Sequence, residues 1–182
     1  MSKILIICAH PNLRKSRLNR ALVQIASTLR DVEVHDLYQH YPHFDIDINA
    51  EQTRLTNASA VIFLHPIYWY SCPALMKEWI DTVLQQGFAF GRNGTKLAGK
   101  HWLSVISTGG DKDAYCDSGT HHYGVTEFMI PFERTAHLCG MHYLPPLVCH
   151  NADKISDKDI STHCDIFAEM MSELLTGITQ EK

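Results

Sequence analysis

ILIICAHPNLRKSRLNRALVQIASTL, residues 4–29, changes its periodicity once, and that change decides the fold. It opens on Ile4–Ala9, apolar at every position, which suits a parallel strand buried on both faces rather than a half-exposed strand that would alternate. From Ser16 to Leu29 the apolar residues Leu18, Leu22, Ile25, Ala26 and Leu29 recur at helical spacing, with Ser16 placed to cap the helix start. A strand, a polar loop and a helix in that order form the first half of a β-α-β unit.

The same alternation runs outward along the chain. Val32–Asp36 reads as a short second strand. Asn49 is placed to cap a short helix through Leu55, with Glu51 to Arg54 on that helix's surface. Ala60–Leu64 (AVIFL) is a second fully apolar strand, and Pro73 suits the first turn of a helix running to about Leu84. QQGFAFGRNGTKLAG, residues 85–99, is a glycine-rich loop. His101–Ser107 reads as a fourth strand, Phe128 to Leu138 as a helix, Leu147–His150 as a fifth strand and Asp157 to Leu175 as an amphipathic helix. Such a chain predicts one α/β domain over residues 1–182: a three-layer sandwich whose five-stranded parallel sheet, in order 2-1-3-4-5, carries helices on both faces. Ligands of such sheets bind beyond the carboxyl ends of the strands, where the order reverses.

Composition narrows the partners. The chain has 182 residues, 45% of them hydrophobic, and a net charge of −4, so no basic excess points to nucleic acid. No apolar run approaches the roughly 20 residues that span a bilayer. MSKILIICAHP lacks the form of a signal peptide. The six cysteines are scattered without a C-x-x-C pair, as expected of reduced thiols in a cytoplasmic protein.

Three loops at the expected sheet edge carry the unusual residues. HPNLRKSRLN (10–19) enters the first helix, whose free N–H groups attract an anion; His10, Ser16 and Asn19 add donors, and Arg14, Lys15 and Arg17 add positive charge. No G-x-G-x-x-G is present, which argues against a Rossmann-type dinucleotide site. HPIYWYSCPALMKEW (65–79) sets Tyr68, Trp69 and Tyr70 directly after a buried strand, where a flat ring needs flat walls. STGGDKDAYCDSGTHHYG (107–124) offers close backbone approach at Thr108, Gly109 and Gly110 and, further on, the donors Tyr115, His121, His122 and Tyr123. A phosphate joined to a planar ring matches this set, and flavin mononucleotide is the simplest such ligand.

At these residues the chain resembles the flavodoxin-like NAD(P)H:quinone oxidoreductases, and within them the small bacterial ancillary oxidoreductases of glutathione-gated potassium-efflux systems, the KefF/KefG type. ILIICAHP, SRLNRAL, VHDLYQHYPHFDIDINAEQ, HPIYWYSCPALMKEWID, GFAFG, LAGK, STGG and CGMHYLPP carry the resemblance, through about Pro146. It implies a flavodoxin-like fold and FMN, with FAD as the alternative. His10 and Ser16, Arg17, Leu18 and Asn19 are then expected at the phosphate. Ile67, Tyr68, Trp69 and Tyr70 are expected around the ring, as are Ser107, Thr108, Gly109 and Gly110. Tyr115 and His121 match a Tyr–His pair that steadies charge during hydride transfer.

The resemblance further implies NADH or NADPH as donor, a quinone or related electrophile as acceptor, and a homodimer. It also implies a membrane potassium-efflux antiporter as partner, reached from the inner face of the cell membrane. Arg92 and Lys96 are candidates to meet a 2′-phosphate. A regulatory subunit with little turnover is the alternative function. A flavodoxin-type electron carrier fits less well, because such proteins are more acidic and lack the His-Pro opening of the phosphate loop. A metal at His137, Cys139 and His142 lacks the tight, repeated ligand spacing of zinc sites. Cys72, at a helix start, is a candidate redox thiol with a lowered pKa, weighed against a small packed residue.

Overall fold

The computed structural model describes residues 4–180; the expectation for the extreme N-terminus rests partly on Met1–Lys3, outside the described residues. The elements are β1 (Ile4–Cys8), α1 (Arg17–Ala26), β2 (Val32–Asp36), α2 (Leu37–His40), α3 (Ile48–Asn57), β3 (Ala60–Pro66) and α4 (Ala74–Val83). They continue with β4 (His101–Ser107), α5 (Val125–Phe128), α6 (Ile130–Leu138), β5 (His142–Tyr143), β6 (Leu147–Cys149) and α7 (Asp157–Gln180). The sheet is parallel, in the order β2-β1-β3-β4-β5, with β6 also paired to β4.

Alternation along the central strands builds two cores. Leu5 and Ile7 of β1 face a cluster with Phe63, Trp79, Trp102 and Phe132, under α4 and α6. Ile4, Ile6 and Cys8 face Leu18, Leu22, Phe167 and Met171, under α1 and α7. Each such aliphatic or aromatic side chain, fully buried, contributes about 1.5–3 kcal/mol, which is why the uniformly apolar strands take the centre of the sheet.

Five local expectations are corrected. The fifth strand comes in two pieces: His142 pairs with His101 and Leu147 with Val105, on either side of Leu144-Pro145-Pro146. Proline has no N–H for the ladder and is tolerated at such an edge. The helix expected over Phe128–Leu138 splits at Met129, because Pro131 occupies the first turn of α6. Asp47, not Asn49, caps α3, accepting from the Ala50 N–H at 3.0 Å, and α1 ends at Ala26, short of Leu29. Glu51 is not on the surface of α3 but 0% exposed.

That carboxylate is held by Trp79 Nε1–H at 2.7 Å and Tyr41 O–H at 2.8 Å. His35 Nε2 lies 2.9 Å away, close but poorly aligned for a hydrogen bond, and Arg54 Nε is at 3.6 Å.

Candidate functional site

The carboxyl ends of β1, β3 and β4 close on a cavity of about 450 Å³, within the range of small-molecule and cofactor sites. Backbone ties hold its rim: Ala9 N–H to Leu64 O at 2.9 Å, Ile67 N–H to Ser107 O at 2.8 Å and Thr108 N–H to Cys149 O at 3.0 Å. A larger hollow of about 790 Å³ lies elsewhere, over the amino halves of the strands beside α3. Its one cation, Arg54, is paired with Glu33, which leaves the smaller cavity as the candidate site.

One end of the cavity is built for an anion. Ser16 caps α1, its Oγ accepting from the Asn19 N–H at 3.3 Å and from Asn19 Nδ2 at 3.0 Å. The N–H groups of Arg17 and Leu18 in that first turn have no acceptor among the described residues. Asn12 N–H donates to His10 Nδ1 at 3.1 Å, so the neutral ring carries its proton on Nε2 as a donor. Burial lowers the His10 pKa, which favours that neutral form. Lys15 lines the same end. Arg17 lines it too, but its guanidinium is engaged with Ile155 O at 2.7 Å and with Asp157. The side chain of Leu18 is buried in the core, so only its backbone faces the anion end.

The other end offers Ile67, Tyr68, Ser107, Thr108 and Gly109. Ser107 is buried and accepts from Asn19 Nδ2 at 2.9 Å, which ties the two ends together. Asn19 Oδ1 is buried without a protein donor, an acceptor for a ligand hydroxyl. Ser16→Ala is expected to cost about 1 kcal/mol of stability through the lost cap, read as a lower urea midpoint at unchanged m-value.

Backbone strain sits in the aromatic turn. Trp69 has φ 51° and Tyr70 φ 61°, at the centre of a tight turn closed by Tyr68 N–H to Ser71 O at 3.2 Å and Ser71 N–H to Tyr68 O at 3.0 Å. Gly109 and Gly110 have no positive φ; they are small because of space. A Cβ on Gly109 would lie 3.1 Å from Asp153 Oδ2, and one on Gly110 3.2 Å from Tyr115 Cε2.

Trp69 is 93% exposed and is not among the cavity-lining residues. Tyr70, Tyr115 and His121 do not line the cavity either; they form an aromatic cluster with Phe128. Tyr115 and His121 stack at 4.3 Å between ring centroids. Burial raises the Tyr115 pKa, and the nearby Thr108 hydroxyl partly opposes it.

Residues after the fifth strand escaped the sequence reading. Ala152 N–H donates to Thr108 O at 2.8 Å, Asn151 N–H to Gly110 O at 2.9 Å, and Asp153 lines the cavity. Extending the carboxyl-end rule to the edge strand would have found them. The candidate redox thiol, Cys72, is buried, and burial raises its pKa rather than lowering it. Cys139 is likewise a packed core residue.

A family model described as "Flavodoxin-like fold" matches residues 2–169. The glutathione-regulated potassium-efflux system ancillary protein KefG of Pectobacterium atrosepticum is 46% identical over 173 residues, 95% of this chain and 94% of its own. The general stress protein 14 of Treponema denticola, solved in complex with FMN, superposes with a TM-score of 0.90 at 32% identity, covering 94% of this chain and 99% of that one. An NADPH-quinone reductase of P. pentosaceus does so with a TM-score of 0.84 at 31% identity, covering 92% and 96%. With the strand order, the sheet-edge cavity and these matches in agreement, the chain belongs to the flavodoxin-like fold family, alongside the KefG ancillary proteins.

Proposed function

We propose that residues 1–182 form one FMN-binding domain that oxidises NADH or NADPH and reduces quinones or related electrophiles in a ping-pong cycle. The observation that carries this reading is one cavity with unpaired helix N–H groups at one end and backbone edges of two strand-end loops at the other. The cofactor's phosphate suits Arg17 and Leu18 N–H, Ser16 and His10. A hydroxyl of its sugar-alcohol tail is a donor for the orphaned Asn19 Oδ1. The planar ring suits the backbone of Ile67–Tyr70 and Ser107–Gly110.

Flavin bound there supplies reversible hydride acceptance, and the protein supplies position and charge balance. Tyr115, whose proton is held more tightly than usual, is the donor toward charge that develops on the reacting molecules. His121, stacked on it, fixes the phenol's orientation. The same stretch of strand ends faces one open side, so donor and acceptor use it in turn.

The names of the relatives, ancillary proteins of a potassium-efflux system, favour a second, compatible reading, in which the protein docks on a potassium-efflux antiporter and regulates it; in this reading it does so as a homodimer at the membrane's inner face. Among the described residues no helix is long and apolar enough to cross a membrane, so attachment in this reading runs through the partner.

The test is direct. Purified protein is expected to take up FMN stoichiometrically, to be bleached by anaerobic NADPH or NADH, and to be reoxidised by a quinone. Absence of flavin uptake overturns the whole reading. Flavin uptake without reduction, together with co-purification of the antiporter, favours the regulatory one.

A further inference from the structure

Asp153 lines the cofactor cavity and has no part in the function proposed above. A turn just past β6 sets its place. Asn151 takes left-handed backbone, φ 58°, which asparagine tolerates better than most residues. Asn151 N–H donates to Gly110 O at 2.9 Å and Ala152 N–H to Thr108 O at 2.8 Å. Asp153 is thereby brought against the glycine turn, where a Cβ on Gly109 would lie 3.1 Å from Asp153 Oδ2.

The carboxylate is unpaired there. Among the described residues no hydrogen-bond donor and no cation contacts it, and the side chain is exposed. The other charged residues of the lining, Lys15 and Arg17, stand at the anion end. A phosphate offsets them, and Asp157 already engages Arg17. His10, in the neutral form that burial favours, adds no charge. The backbone edges that suit the ring are therefore bordered by a single charge of the lining, and it is negative.

We propose that Asp153 holds down the reduction potential of the bound flavin and so makes the reduced protein a stronger hydride donor toward quinones. The inference rests on the proposed flavin reaction. A hydride brings two electrons and one proton, so a neutral ring that accepts one from NAD(P)H holds one net negative charge until it passes the hydride on. The nicotinamide leaves as NAD(P)+. The quinone takes the hydride and one further proton from solvent. Asp153 opposes the charge on the reduced ring and favours its transfer to the acceptor. The oxidised ring is neutral and feels the carboxylate little. At the effective dielectric of a protein surface, a like charge about 8 Å away, partly screened by salt, is worth about tenfold in an equilibrium constant.

Redox titration of the flavin-loaded protein against dyes of known potential tests this without turnover. Asp153→Asn is expected to tighten binding of reduced FMN about tenfold and to leave oxidised FMN within about twofold, a rise in potential of about 30 mV for a two-electron couple. The rise is expected to shrink as salt is added, and Asp153→Glu is expected to keep the parent potential. Both substitutions fall on an exposed side chain without partners, so folding is not at stake. In stopped-flow experiments Asp153→Asn is expected to be reduced faster by NADPH and to reduce a quinone more slowly, opposite changes that a loosened loop would not produce. A potential that does not move overturns the inference. So does an equal change in affinity for both forms of FMN, which would set the carboxylate beside the phosphate or the sugar-alcohol tail instead. Flavin uptake with an unmoved potential leaves the proposed function intact. If the parent protein takes up no flavin, the proposed function falls and this inference with it.

Discussion

Glu51→Leu is expected to lower the stability of the protein by about 4 kcal/mol, as is usual when one partner of a buried charged cluster is removed. The carboxylate is 0% exposed, yet it sits on a helix whose neighbouring residues are polar. Leucine matches its size but not its acceptors. Trp79 Nε1–H and Tyr41 O–H would lose their partner, at about 1–3 kcal/mol for each donor left buried without one. His35 would lose its nearest anion, and Arg54 the second of its two after Glu33. The cluster joins β2, α3 and α4, so the loss loosens the end of the sheet away from β4 without touching the cofactor cavity. Flavin affinity per folded molecule is expected to be unchanged, and the thermal midpoint to fall by several degrees.

The same residue gives the acid limb of stability. Burial works to raise the Glu51 pKa, but the close contact with His35 and the hydrogen bonds from Trp79 and Tyr41 together hold it below the ordinary carboxylate value. A folded pKa below the unfolded one means that the contribution is full above the unfolded value and is lost as pH falls through the folded one. Urea midpoints measured from neutral to acid pH should therefore drop more steeply in the parent protein than in Glu51→Leu. Parallel curves would assign the acid limb to other carboxylates.

The sheet was legible because its information is periodic. Ile4–Ala9 and Ala60–Leu64 are apolar at every residue, and only a strand covered on both faces uses such a run. The loops around His10, Ile67 and Thr108 were legible because strand order fixes which loop ends meet. What failed was non-periodic. Glu51 looks like a surface residue in any window of sequence, since its partners come from His35, Tyr41 and Trp79, which are distant along the chain or on other elements. Asp47 and Asn49 are equally good caps by type, and the extended backbone at Asp47, with ψ 92° outside the helical range, decides between them. The strained turn was hidden in the same way, because Trp-Tyr is an improbable pair for left-handed backbone and the two glycines nearby drew the expectation away from it.

That turn yields the second large effect. Replacing Trp69-Tyr70 with Asn-Gly is expected to stabilise the protein while weakening FMN binding about 100-fold. Both central residues of the present turn have positive φ, and Asn-Gly is the pair such two-residue turns prefer. A bulky aromatic residue held in that region costs about 1–3 kcal/mol, so relief at both positions should raise the thermal midpoint. The strain is tolerated for what it presents. The N–H groups of Trp69 and Tyr70 have no acceptor among the described residues, and Tyr70 joins the wall made by His121 and Phe128, with ring centroids at 5.7 and 5.1 Å. Asn-Gly keeps the N–H groups but removes both rings; Trp69 lies outside the cavity lining, so the loss to a planar ligand is that of the Tyr70 ring, apolar surface and stacking worth about 1–3 kcal/mol. A stability gain with unchanged flavin affinity would show that the backbone alone holds the ring and that Trp69 and Tyr70 serve some other contact. A stability loss would place the turn's strain energy below what these two aromatic side chains contribute by packing.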